Sequence, residues 1–247
     1  MTTPGQPPTY PTTSDFALLQ RAQDFLLEPR SAVAPITIAS TMWSVQTLVD
    51  MLNYKCKRFL RETGLVVARL GYDGIGSDHS IALTPGLESV TLPQNLVDPL
   101  RLAFVNYDTS VNRNVVSVQD VPREDFLSLD AGDQDWESTP APQPTGYTQS
   151  ITQTLEAFLA HPPSDIAAID LTFVAFSGTL TGLGVALGIP PEFVQYPLYG
   201  MLQDAYSVEG EAYNQALSDY CGLRWSEGVM LAKCLLEAPS FQDPEAV

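Results

Sequence analysis

Histidine is almost missing from this sequence: His79 and His161 are the only two, and both sit in loop-like contexts. The three cysteines, Cys56, Cys221 and Cys234, are scattered, which supplies neither zinc-ligand spacing nor a disulfide framework. They read as reduced, buried thiols, two of them at apolar positions of expected helices. No G-x-S-x-G, P-loop or G-x-G-x-x-G is present, and "GLG" at 182–184 is not followed by the third glycine. Nucleophilic and nucleotide chemistry therefore have no local signature. Basic residues are scarce as well, with 12 Lys and Arg against 29 Asp and Glu and a net charge of −17. That balance repels nucleic acid and anionic membrane.

The N-terminal stretch "MTTPGQPPTYPTTS" has neither a basic n-region nor an apolar h-region, so no secretory signal is expected and a cytoplasmic setting is. One uncharged run, Leu171 to Pro191, carries small-xxx-small spacings in "GTLTG" and "GVALG". Its first half is β-type, its second is studded with Gly182, Gly184 and Gly188, and two prolines close it. A buried strand followed by a flexible apolar loop fits this better than a membrane span.

What is present is enough for a real core: 247 residues, 45% hydrophobic and 17% charged, allow one or two domains. Residues 1–13 are rich in Pro and Thr and read as a disordered arm. Ser14 then suits an N-cap with Asp15 in the first turn, and Leu18, Ala22, Phe25 and Leu26 share a face until Pro29. A longer helix is expected from about Thr41 to Thr63, with Val45, Leu48, Leu52, Cys56, Phe59 and Thr63 on one face and Gly64 just past its end. Its other face gathers Lys55, Lys57, Arg58 and Arg61. These four cations have two readings, a solvated face suited to the helix C-terminus or a contact for an acidic partner.

From 65 to 187 the character changes. Gly, Pro, Asp and Ser clusters punctuate the β-type runs "LVVARL", "ESVTLP", "LRLAFVNYD", "NVVSV", "GYTQS", "TLEAFLA" and "DIAAIDLTFVAF", the pattern of an antiparallel β domain. "VPREDFLSL" suits a short helix with Pro122 near its first position, and the acidic, Pro-rich 130–146 reads as a long exposed loop. The last third returns to helix. Pro190, Pro191 and Glu192 suit an N-terminus, and Phe193, Tyr196, Tyr199, Gln203 and Tyr206 follow. Pro197 should kink that helix or delay its start. A final helix from Glu211 to about Glu237 carries Tyr213, Ala216, Leu217, Tyr220, Leu223, Leu231, Cys234 and Leu235. Tyrosines at this density suit either a subunit contact or a core with satisfied hydroxyls.

The fold class is therefore α+β. A helical bundle formed by the N- and C-terminal helices (14–64 and 188–238) carries an inserted antiparallel β domain (65–187), and a short tail follows (239–247). The best acidic constellation, Asp133, Asp135 and Glu137, resembles half a calcium loop but lacks its glycine and its bidentate Glu. A solvated acidic loop is the plainer reading. With 29 acids, nothing singles out a pair for glycoside hydrolysis.

The order of elements matters next, and above all "GIPPEFVQYPLYGMLQDAYSVEGEAYNQALSDYCGLRWSEGVMLAK" (188–233). It resembles the last third of the head-to-tail adaptor proteins of tailed bacteriophages, the tail tubular protein A type. The features that carry the likeness are Ile189 and Pro190, then Tyr199 and Gly200, then Glu209 to Ala216, then Tyr220, Gly228, Val229, Ala232 and Lys233. "ESVTLPQNLVDPLRLAFVNYD" and "NVVSVQDVPREDFLSL" resemble the family's strand signatures. "WSVQTLVDMLNYKCKRFL" is similar to its opening helices, so the likeness spans most of 14–237. The acidic loop 130–146 and the Gly-rich loop 177–189 have no counterpart in that pattern.

The resemblance implies a structural virion protein at the neck of the particle, assembled in the host cytoplasm and catalysing nothing, with no cofactor or metal. It implies a homo-oligomeric ring, typically of twelve, that joins the portal protein to tail or nozzle proteins and fibres. Genomic DNA passes through its channel without specific binding, which an acidic wall favours. Contacts would come from Tyr196, Tyr199, Tyr206, Tyr213 and Tyr220, from Lys55, Lys57, Arg58 and Arg61, and from Phe241 in the tail. The alternative is a carbohydrate-binding or glycan-hydrolysing module that uses exposed aromatics such as Trp136.

Overall fold

A computed structural model of the chain describes residues 14–26, 43–70, 81–108, 114–132, 135–149, 155–165, 167–176, 179–208 and 213–237. It is mixed α+β, with antiparallel sheets and five helices among these residues. The chain divides into two compact units, one formed by Val67–Ala175 and the other by the described residues of 14–66 and 176–237.

In the helical unit, local chemistry sets the ends of the first two helices. α1 (Asp15–Phe25) starts where the Ser14 hydroxyl accepts the Ala17 N–H, and it buries Leu18, Leu19 and Ala22. α2 (Val45–Thr63) is capped by Ser44, whose hydroxyl accepts the Thr47 N–H at 3.0 Å. It ends at Gly64, which adopts φ 66° and donates its N–H to the Leu60 carbonyl. That left-handed conformation is cheap only for glycine.

The β unit holds two sheets. Strands β1 (Val67–Leu70), β2 (Ile81–Leu83), β4 (Leu96–Asp108), β5 (Asn114–Val121) and β8 (Ala167–Ala175) form the larger, in the order β1-β8-β4-β5. β2 pairs with β8 beside β1: Val67–Leu70 face 171–174 while Ile81–Leu83 face 167–169. β8 is buried along nearly its whole length, as befits a central strand. Pro99 sits in β4 at an irregular stretch of its pairing with β8, before β5 begins to pair at Leu102, which is where a strand tolerates proline. β3 (Ser89–Thr91), β6 (Gly146–Gln149) and β7 (Glu156–Ala160) make the smaller sheet, in the order β3-β7-β6.

Several elements differ from expectation. β2 was not foreseen, being only three residues long. The short helix α3 (Phe126–Gly132) begins four residues after Pro122, where the Asp125 carbonyl accepts from Ser128 and Leu129. It takes over the start of the segment read as an acidic loop. Residues 135–146 are tied down: Trp136 is buried, its carbonyl accepts the His161 N–H, and Ala141 and Thr145 donate to Pro162 and Ala160. His161 makes this turn at φ 61°.

The last two helices are α4 (Gln195–Ser207) and α5 (Gln215–Glu237). Pro197 lies in the first turn of α4, where backbone N–H groups have no partner within the helix, so it neither delays the start nor removes a helical bond. α5 begins where the Asn214 side chain accepts the Leu217 N–H. The expected start at Glu211 falls outside the described residues.

Candidate functional site

Within the helical unit, an aromatic cluster joins α2, α4 and α5. Phe59 lies 5.7 Å from Trp225 in an edge-on pair and 6.4 Å from Tyr196 in a stacked one, and Phe193 lies 6.1 Å from Tyr196. Small residues let the helices come this close. Gly228 sits against the Tyr196 ring and Gly200 against Trp225, with no room for a methyl group at either. Ser218 donates its hydroxyl to the Gln203 carbonyl and bonds α5 to α4 a second way.

The Gly-rich segment 179–188 is fixed rather than a flexible loop. Asp15 is completely buried, and its carboxylate accepts the N–H groups of Thr181 (2.9 Å), Gly182 (2.7 Å), Gly184 (2.8 Å) and Phe16 (2.7 Å). Gly182 and Gly184, at φ 77° and 100°, turn these amides inward. Asn53 pins the neighbouring Leu180 with two bonds, accepting its N–H and donating to its carbonyl. The carboxylate thus fills an anion-binding nest with part of the protein itself. It also faces Cys56, whose thiol is held far above its ordinary pKa, first by burial and then by that negative charge.

Of the five tyrosines singled out, two belong to the core. Tyr196 is 6% exposed inside the aromatic cluster, and Tyr206 is 8% exposed with its hydroxyl donated to the Phe25 carbonyl at 2.7 Å. Both were candidates for a contact surface, and both are instead buried in the core, Tyr206 with its hydroxyl satisfied. Tyr199 is half-buried between Phe25 and Tyr220, with the Arg224 guanidinium over its ring. Tyr213 and Tyr220 are about half exposed, at 51% and 50%.

The cations divide in a similar way. Lys55 is buried, its Nζ 2.9 Å from Asp204 and 5.6 Å from the centre of the Trp225 ring, so it is no free surface charge. Lys57, Arg58 and Arg61 are exposed, and Arg58 pairs with Glu62 one turn on. Between α2, α4 and α5 lies a cleft of about 680 Å³ that includes Lys55, Arg58, Glu62, Asp204 and Trp225. Its ion pairs neutralise one another across the wall. Phe241 and His79 lie outside the described residues.

The largest surprise is on α5. The sequence places Tyr213, Ala216, Leu217, Tyr220, Leu223, Leu231, Cys234 and Leu235 at the apolar positions of this helix, yet all eight are exposed. The buried face is Ser218, Cys221, Trp225, Gly228 and Ala232. Cys234 is accordingly an exposed thiol, whereas Cys56 and Cys221 are buried. Trp136 of the β unit is likewise corrected, from an exposed aromatic to one of the largest fully buried side chains.

Among the described residues no cluster of three or more His, Cys, Asp or Glu is placed to hold a metal ion, and no helix is long and apolar enough to cross a membrane. No model of a known protein family matches the chain, and no curated protein matches it significantly.

Proposed function

We propose that this chain is a structural virion protein, a head-to-tail adaptor that assembles as a ring, typically of twelve, between the portal and the tail. The observation that carries the reading is the exposed apolar face of α5. A helix of 23 residues packs one narrow stripe of small residues inward and turns its leucines and tyrosines outward, which is the profile of a helix that works against another protein. The resemblance of 188–233 to the adaptor family lies on this same helical pair. Two N-terminal helices, a β unit and two C-terminal helices also follow in the order that family leads one to expect, a helical bundle interrupted by an inserted β domain.

In this reading Tyr213 and Tyr220 belong to a protein contact, and Lys57, Arg58 and Arg61 meet acidic surface on a neighbour. The net charge of −17 suits a channel wall past which DNA slides. The chain would be found in the neck of finished particles and would act without a cofactor. Immunogold labelling of intact particles with antibody to this chain is the test. Label at the head-to-tail junction supports the assignment, and unlabelled particles whose necks are accessible refute it.

A further inference from the structure

We infer that the exposed face of α5 pairs antiparallel with α5 of a second copy, making an isologous dimer in solution. The inference starts from the same exposed face of α5 that carries the neck assignment, but it is tested separately, by the oligomeric state of the free chain in solution. Leu217, Tyr220, Arg224, Glu227, Leu231 and Cys234 follow one another at alternating spacings of three and four, the a and d positions of a heptad seam. This seam is distinct from the stripe that packs on α4, which runs through Ser218, Cys221, Trp225, Gly228 and Ala232. The chain thus carries two seams on one helix: one is buried, and the other stays largely exposed, with Tyr220 and Arg224 touching the Tyr199 ring of α4.

The order of residues along the free seam selects the partner and its direction. In an antiparallel pair centred between residues 225 and 226, Leu217 lies opposite Cys234, Tyr220 opposite Leu231, and Arg224 opposite Glu227, each pairing occurring twice by symmetry. Every apolar side chain meets an apolar one and every charge meets its opposite. A parallel, in-register pair would instead set Arg224 against Arg224 and Glu227 against Glu227. Within one chain Arg224 and Glu227 already bond at 2.6 Å, so the seam's centre enters the contact as a neutral, oriented pair.

The neighbouring Tyr213, Leu223, Met230 and Leu235, all more than two-fifths exposed, flank the seam and widen the apolar face open to a second copy. An isologous contact closes on itself and leaves no free end. A chain held in this way keeps this apolar face covered, and the pair must open before α5 can serve any other partner.

The test uses the full chain with its native cysteines. Sedimentation velocity at 1–100 µM is expected to show a monomer–dimer equilibrium. Leu217→Cys under mild oxidation should give a covalent dimer whose mapped link joins Cys234 to the introduced thiol of the other copy. An intrachain link is out of reach, because 17 residues of helix separate the two positions by about 25 Å. Without the substitution no Cys234-to-Cys234 dimer should form. Arg224→Glu and Glu227→Arg should each weaken dimerisation at least tenfold, and the double exchange should restore it to within threefold, with circular dichroism confirming folded chains. A monomer throughout that range overturns the inference. So does a dimer that links through Cys234 alone, or one that ignores both charge reversals.

Discussion

Asp15 offers the sharpest check on how the helical unit is held. Asp15→Asn keeps the shape of the side chain but turns one of its two oxygens into an amide NH₂. Whichever oxygen is replaced, two N–H donors lose their acceptor: Thr181 and Gly182 in one orientation, Gly184 and Phe16 in the other. The site is fully buried, so water does not replace the lost bonds. Each stranded donor costs about 1–3 kcal/mol, which puts the substitution at about 2–6 kcal/mol. With a urea dependence of about 2 kcal/mol per molar, the unfolding midpoint of the helical unit should fall by about 1–3 M. The assay is urea denaturation followed by tryptophan fluorescence, with hydrogen exchange read over 179–188. Protection there should collapse before that of α5. A midpoint within about 0.3 M of the unsubstituted chain, a shift worth well under one stranded donor, would show that the clamp does not hold the segment, and the reasoning would fail.

Four further outcomes follow from the structure. Gly228→Ala drives a methyl group into the Tyr196 ring, which is backed by Phe59 and Phe193, and should cost about 3 kcal/mol or more. Gly222→Ala meets only the end of the Gln203 side chain and should stay within about 1 kcal/mol, as paired thermal melts will show. A thiol-exchange reagent should label one cysteine per native chain, Cys234, and all three after unfolding. Stability should also fall with alkali. Burial and the Asp15 charge keep the Cys56 proton in the folded state past the ordinary thiol value of 9.0, and burial does the same for Cys221. Above about pH 9 the unfolded chain therefore binds fewer protons than the folded one, and stability declines as pH rises. Cys56→Ala should flatten that decline in urea midpoints taken from pH 8 to 10.5. Finally, Trp136→Ala should cost the β unit about 3–5 kcal/mol in thermal unfolding; a loss below about 1 kcal/mol would contradict its burial.

Local signals were legible where one residue decides the outcome. Ser14 as cap, Gly64 as terminator and the β-type runs of β1 and β3 to β8 could all be read directly, because caps, left-handed glycines and strand composition act within a few positions. What escaped depended on distant partners. Asp15 reads as a first-turn residue of α1, and three of the N–H donors it accepts from lie 166–169 residues away. Trp136 sits among Asp, Glu and Pro, so composition hid a core anchor. On α5, large aliphatic residues drew attention away from a buried stripe of Ser, Cys, Gly and Ala around Trp225. A small-residue stripe signals close helix packing only once the facing aromatic is known.

The nest that holds Asp15 also bears on the order in which the chain is made. Residues 67–175 form their unit from continuous sequence and are able to fold as soon as they emerge. The helical unit has no such option, because α1 and α2 are synthesised long before the amides and aromatics that complete them. At 5–20 residues per second, translation of the intervening β unit takes roughly 5–20 s. For that interval Leu18, Leu19, Leu52 and Phe59, all fully buried at the end, have no partner from α4 or α5 to pack against. The nascent chain therefore carries this apolar surface uncovered until α4 and α5 have been made, which is when exposed hydrophobic surface is prone to aggregation.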